Sequence, residues 1–213
     1  MIAIVDYGMG NLRSAQKGFE HAGHQAVITE DREVIAAADA VVLPGVGAFR
    51  DCYEGLERHG LIEPVLDAAH SGRPFLGICV GMQLLFEAGE EGEGSPGLGI
   101  FKGRVVRFPD ARSTGLKVPH MGWNQLERVS GRDCPLLQGL GPAPYAYFVH
   151  SYFAHGVEPD ILQATCTYGI QFPAIVGRGN VYATQFHPEK SQATGLGILR
   201  AFGNLTAEAV THG

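Results

Sequence analysis

The stretch FLGICVGMQLLFE, Phe75 to Glu87, sets a cysteine between two glycines where an apolar run gives way to a helical pattern. Pro74 to Ile78 predict a strand, and Met82, Leu84, Leu85 and Phe86 predict an amphipathic helix that ends near Gly89. Gly77-Ile78-Cys79-Val80-Gly81 at that junction is the thiol counterpart of the Gly-x-Ser-x-Gly nucleophile elbow. Its turn is so sharp that side chains beside the nucleophile would collide, so glycine flanks it. A helix N-terminus there favours thiolate over thiol through its dipole and unpaired N–H groups.

Outward from this junction the N-terminal half alternates strand and helix patterns. Ile2–Tyr7, His24–Thr29 and Ala40–Gly45 read as strands. Asn11–Gly23 reads as a helix, and 48–71 as helical, broken at Gly60 and Pro64. The strands are nearly continuously apolar, as parallel strands covered on both faces are. The expected fold is therefore α/β, a mostly parallel central sheet flanked by helices, in one domain over 1–213. Glu87–Gly99, rich in Gly and Glu, reads as a solvated connection. Beyond it come shorter β-like pieces (101–108, 145–153, 161–169, 173–179, 181–186) and a closing helix from about Ser191.

Composition narrows the partners. The 213 residues carry a net charge of −6 and no run of five like charges, which argues against nucleic acid and against a polybasic membrane contact. The N-terminal apolar run is too short for a signal sequence, and no eighteen-residue apolar stretch occurs, so a cytoplasmic location is expected. Cys52, Cys79, Cys134 and Cys166 are then reduced thiols, and all but Cys79 read as small core residues. No CxxC pair exists, and His21 and His24 are the only histidines at helical spacing. Neither a metal nor another cofactor is expected.

Two further motifs supply partners for the thiol. In Gln185-Phe186-His187-Pro188-Glu189-Lys190-Ser191, Pro188 biases His187 toward extended backbone, where residues two apart point the same way. Glu189 beside His187 would fix its tautomer and stabilise an imidazolium during proton transfer. Pro44-Gly45-Val46-Gly47, where an apolar strand meets a helix, offers nearly bare backbone N–H groups at Val46 and Gly47. With the N–H of Val80 these would form an oxyanion hole.

Elbow, PGVG and HPE in this order resemble the class I, triad, glutamine amidotransferases. DYGMGNLRSAQKGFEHAG (6–23), PHMGWNQL (119–126) and YFVHSYF (147–153) bring the likeness closest to the glutaminase subunits of imidazole glycerol phosphate synthases, in histidine biosynthesis. The resemblance implies that Cys79 attacks the side-chain amide of glutamine, that His187 protonates the departing ammonia and later activates water, and that Glu189 orients His187. It places Gly45, Gln83, His150, Ser151 and Tyr152 around the substrate. It also implies a (β/α)₈ cyclase subunit as partner in a heterodimer, receiving the ammonia, with Asn11, Trp123, Tyr147 and Lys190 facing it. Trp123, the single tryptophan, reads equally as interface anchor or core. PGVG is implied to act as a switch, and a β-branched valine there either stores strain or favours an inactive peptide orientation. A stand-alone cysteine hydrolase, an amidotransferase of another pathway and a non-catalytic scaffold are the rivals. Val80, where one hydrolase family carries histidine, disfavours the first, and an intact triad disfavours the last.

Overall fold

A computed structural model describes residues 1–92, 94–109 and 115–211, the stretch 207–211 by backbone alone. The N-terminal half runs β1 (Ile2–Val5), α1 (Leu12–His21), β2 (Ala26–Thr29), α2 (Arg32–Ala37), β3 (Ala40–Gly45), α3 (Phe49–Arg58), α4 (Ile62–His70), β4 (Phe75–Cys79) and α5 (Val80–Gln83). Then follow β5 (Phe86–Gly89), β6 (Ser95–Pro96), β7 (Phe101–Arg107), β8 (His120–Gln125), β9 (Glu127–Arg128), β10 (Tyr145–His150), β11 (Tyr152–His155), β12 (Leu162–Tyr168), β13 (Ile170–Arg178), β14 (Val181–Thr184) and α6 (Gln192–Thr211).

The main sheet has eight strands in the order β2-β1-β3-β4-β14-β13-β12-β9. Its first five are parallel, and the last three join antiparallel. Every residue of β1, β3 and β4 is buried, which accounts for their unbroken apolar character: helices cover both faces. On α3, Phe49, Cys52 and Leu56 recur at helical spacing and are buried. On α1 the inward residues are Ala15 and Phe19, and the Phe19 ring packs 5.9 Å from that of Phe202 on α6.

Besides adding α2 and β8, which the sequence reading did not assign, the chain departs from it in four places. After Cys79 the helix lasts a single turn, and Phe86–Gly89 is a strand between β7 and β6. Leu84, Leu85 and Phe86 are all buried, so the segment has no polar face, and the carbonyls of Leu84, Phe86 and Glu87 accept from the N–H groups of Leu98, Gly99 and Gly97. The Gly/Glu-rich connection, whose residue 93 lies outside the described set, is partly structured: Glu91 Oε2 accepts from Phe49 N–H at 2.7 Å, capping α3. Gly60, at φ +63°, does part α3 from α4, but Pro64 breaks nothing, because in the first turn of α4 its missing N–H has no partner to lose. YFVHSYF is not one strand either. It leaves a two-stranded sheet (β10-β8) and enters a four-stranded one (β11-β7-β5-β6) at Ser151.

Glycine is obligatory where α5 meets the sheet. A Cβ on Gly81 would lie 1.9 Å from the Leu43 carbonyl oxygen, and one on Gly77 would lie 2.8 Å from that of Gly81. Both obstacles are backbone and cannot rotate aside. Gly81→Ala should therefore cost about 3 kcal/mol or more. Gly72→Ala, at φ +82° with open space around it, should cost only about 1–2 kcal/mol. Urea unfolding of the two variants checks the difference.

Candidate active site

Three adjacent parallel strands deliver the site. β4 ends at Cys79, with β3 on one side, in register Gly45 to Cys79, and β14 on the other, in register Thr184 to Ile78. Parallel neighbours share their carboxyl ends, so the PGVG loop and the segment 185–190 emerge beside the sulfur. Cys79 itself has φ 56° and ψ −109°, and among the described residues only it and Gln192 combine a side chain with positive φ. That conformation turns the side chain out of the sheet at the elbow.

His187 shares the cleft with Cys79 and interacts with it on one side, and on the other its Nδ1 hydrogen bonds to Glu189 Oε1 at 2.8 Å. The pairing expected from extended backbone is present, although Pro188–Lys190 form a 3₁₀ turn that brings the carboxylate back over the ring. The Glu189 and His187 side chains are both buried, and Oε2 of Glu189 has no hydrogen-bond partner among the described residues. A carboxylate so placed is balanced chiefly by the imidazolium. Burial by itself opposes charge on His187, but the hydrogen bonds and charges of Cys79 and Glu189 outweigh it and raise its pKa to about 10. Because α5 is one turn long, the imidazolium takes the place of the expected helix dipole as the sulfur's main electrostatic partner.

A second polar chain runs behind the sulfur. Gln185 Nε2 lies 3.9 Å from Cys79 Sγ, and its Oε1 accepts from Gln83 Nε2 at 3.2 Å. Gln83 Nε2 also donates to the Tyr152 carbonyl at 3.0 Å, and the same carbonyl takes the Nδ1–H of His150 at 2.8 Å. Since a carbonyl only accepts, His150 Nε2 is the acceptor for His120 Nδ1–H at 3.1 Å. His120 Nε2 in turn faces Asn124 Nδ2 at 3.4 Å. Every link is satisfied with both rings neutral. Burial accordingly pushes His120 down to about 4, and burial, with His120 and His187 close by, pushes His150 down to about 3.

These groups surround a cleft of about 400 Å³ lined by Val46, Gly47, Cys79, Val80, Gln83, Glu91, Pro119, Val149, His150, Ser151, Tyr152, His187 and Lys190. Gly45 lies beneath the cleft, where a Cβ would come within 2.6 Å of Gly81 N. Val46 has no positive φ; Gly47 takes it at +87°, so no strain is stored at the valine. Trp123 is 46% exposed, which decides against core, and its ring packs edge-on to Tyr147 at 6.1 Å. Lys190 sits exposed at the rim. Asn11 reaches inward, its Nδ2 3.5 Å from Glu189 Oε1. Sequence reasoning passed over Gln185, His120, Asn124 and Glu91. Gln185 stands in the quoted HPE segment and His120 in PHMGWNQL, so their neighbourhood was legible although their contacts were not.

Among the described residues no group of three His, Cys, Asp or Glu is arranged to hold a metal, and no helix is long and apolar enough to cross a membrane.

The chain belongs to the class I glutamine amidotransferase family, whose model matches residues 3–203. A solved structure described as a glutamine amidotransferase has the same fold, with a TM-score of 0.74 at 20% identity, over 97% of this chain and 100% of that one. Within the family the similarity is to imidazole glycerol phosphate synthase subunit HisH. That of Syntrophotalea carbinolica is 56% identical over 208 residues, 96% of this chain and 100% of the relative. That of Geobacter sulfurreducens is 53% identical over 207 residues, 96% and 98%.

The two histidine environments give opposite pH dependence. His187, raised above its ordinary 6.5, contributes stability that is complete below pH 6.5 and lost as the pH rises toward about 10. His120 and His150, lowered, contribute stability that is complete above pH 6.5 and lost as the pH falls toward about 4 and about 3. From these groups stability should peak near pH 6.5. Cys79→Ala should shorten the alkaline limb and leave the acid limb, as read from urea midpoints across pH.

Proposed function

We propose that this chain, as a single glutamine amidotransferase domain, is the glutaminase subunit of a cytoplasmic imidazole glycerol phosphate synthase. It hydrolyses glutamine and passes the ammonia to a (β/α)₈ cyclase subunit. The observation that carries the reading is the Cys79–His187–Glu189 line opening on the cleft. Cys79 Sγ adds to the side-chain carbonyl carbon of glutamine, and the N–H groups of Val80 and of the PGVG loop, at Val46 and Gly47, receive the oxyanion. His187 gives its proton to the amide nitrogen, ammonia leaves, and a thioester remains. Neutral His187 then takes a proton from water as the water attacks, and the collapse of that adduct breaks the C–S bond, releases glutamate and restores the sulfur–imidazolium pair. Glu189 holds the ring through Nδ1 so that Nε2 faces the reacting atoms.

Gln83, Ser151, His150 and Tyr152 line the cavity where glutamine would bind, His150 neutral and therefore no competitor for the proton. The partner reading is supported by an exposed apolar patch on the β8-β10 pair: Met121, Trp123 and Tyr145, with Tyr147 opposite Trp123. Met121 pairs with Val149, which lines the cleft, so the patch borders its mouth.

With a purified cyclase and its ribulosyl nucleotide present, the chain should release glutamate from glutamine much faster than alone, and Cys79→Ala should release none. Persisting activity in Cys79→Ala would overturn the mechanism, and indifference to the cyclase would point to an amidotransferase of another pathway. Trp123→Ala should weaken the complex by about 2 kcal/mol, roughly thirtyfold in Kd. Calorimetric titration of the two subunits measures this.

A further inference from the structure

The carbonyls on either side of Gly45 are pinned from behind by two buried side chains that the triad chemistry does not use. Tyr7, two residues past β1, donates its O–H to the Pro44 carbonyl at 2.6 Å. Cys52, in the first turn of α3, donates its S–H to the Val46 carbonyl at 3.3 Å. The two side chains are neighbours, and both are shut off from solvent. Burial pushes the Cys52 thiol up to about 11 and Tyr7 well above its ordinary value, so both keep their hydrogen at neutral pH. Gly55, one turn beyond Cys52, makes room for the tyrosine: a Cβ there would meet the Tyr7 ring at 3.0 Å.

We propose that Cys52, supported by Tyr7, is a positioning residue that aims the Gly47 N–H into the oxyanion hole by holding the Val46 carbonyl. In a planar trans peptide the carbonyl of one residue and the N–H of the next point in opposite directions. Fixing the Val46 carbonyl on the α3 side therefore turns the Gly47 N–H away from α3, toward the cleft that Val46 and Gly47 line. The peptide needs such a hold. Its plane turns about ψ of Val46 and φ of Gly47, and on the Gly47 side, at φ +87°, no Cβ resists the rotation.

This rests on the glutaminase reading, and the test separates the two. In the complex with the cyclase, Cys52→Ala should lower kcat for glutamate release at least tenfold, toward the roughly 10²–10³-fold that follows loss of an oxyanion donor. KM should stay within about twofold, because the hole acts on the transition state. Alkylation of Cys79 by iodoacetamide, followed by mass spectrometry, should also stay within about twofold, since displacement of iodide develops no oxyanion. Cys52→Ser, whose hydroxyl can donate to the same carbonyl, should recover most of kcat. Should Cys52→Ala not fold, Tyr7→Phe keeps the ring packing against Cys52 while removing the hold on the Pro44 carbonyl, and should lower kcat several-fold with alkylation unchanged. An unchanged kcat in the folded variants, or a parallel fall in kcat and alkylation, would overturn the proposal. Absence of glutamate release from the unsubstituted complex would instead overturn the glutaminase reading beneath it.

Discussion

The backbone of Cys79 is held at a positive φ that costs an L residue about 1–3 kcal/mol, and the arrangement of the cleft depends on the contacts that hold it there. Those contacts are backbone against backbone. Gly81 sits against the Leu43 carbonyl, Gly77 against the Gly81 carbonyl, and Gly45 against Gly81 N, so β3, β4 and the first turn of α5 are locked at one separation. A side chain at any of the three would force them apart. With the lock in place the sulfur leaves the sheet at the end of β4, midway between what β3 and β14 deliver.

Electrostatics then divide the buried histidines by the partners each one meets. His187 faces a sulfur and a carboxylate, and the buried carboxylate is ion-paired with this ring, so the proton stays on the imidazole despite burial. His120 and His150 face a carbonyl, an amide and each other, which a neutral ring satisfies completely and a second proton would break. One charged and two neutral histidines can therefore sit close together without competing. The charge remains beside the nucleophile, where proton transfer needs it.

Much of this was legible in the chain. Continuous apolar runs separated by helical patterns announced a parallel sheet. The glycines around Cys79 and the HPE segment marked the ends of two of its strands, because sharp turns restrict residue type locally. The segment from Leu84 to Phe86 misled for a physical reason. Its apolar residues suit a helix face or a buried strand equally well, and the choice was made by the carbonyls of 84–87, which pair with N–H groups ten to sixteen residues downstream. The strand break at Ser151 was hidden likewise, since it follows from which sheet each half joins.

The sequence by itself determined the residue types that the chemistry requires and the order in which the strands present them, because turn geometry and hydrophobic pattern are read over a few neighbouring residues. Only the tertiary structure decided which of those residues touch. Asn11 turned inward to Glu189, Trp123 stayed exposed, and Cys52 became a hydrogen-bond donor to the Val46 carbonyl beside the cleft rather than mere core filling. Such choices depend on elements distant in the chain arriving at the same place, and local patterns carry no record of that meeting.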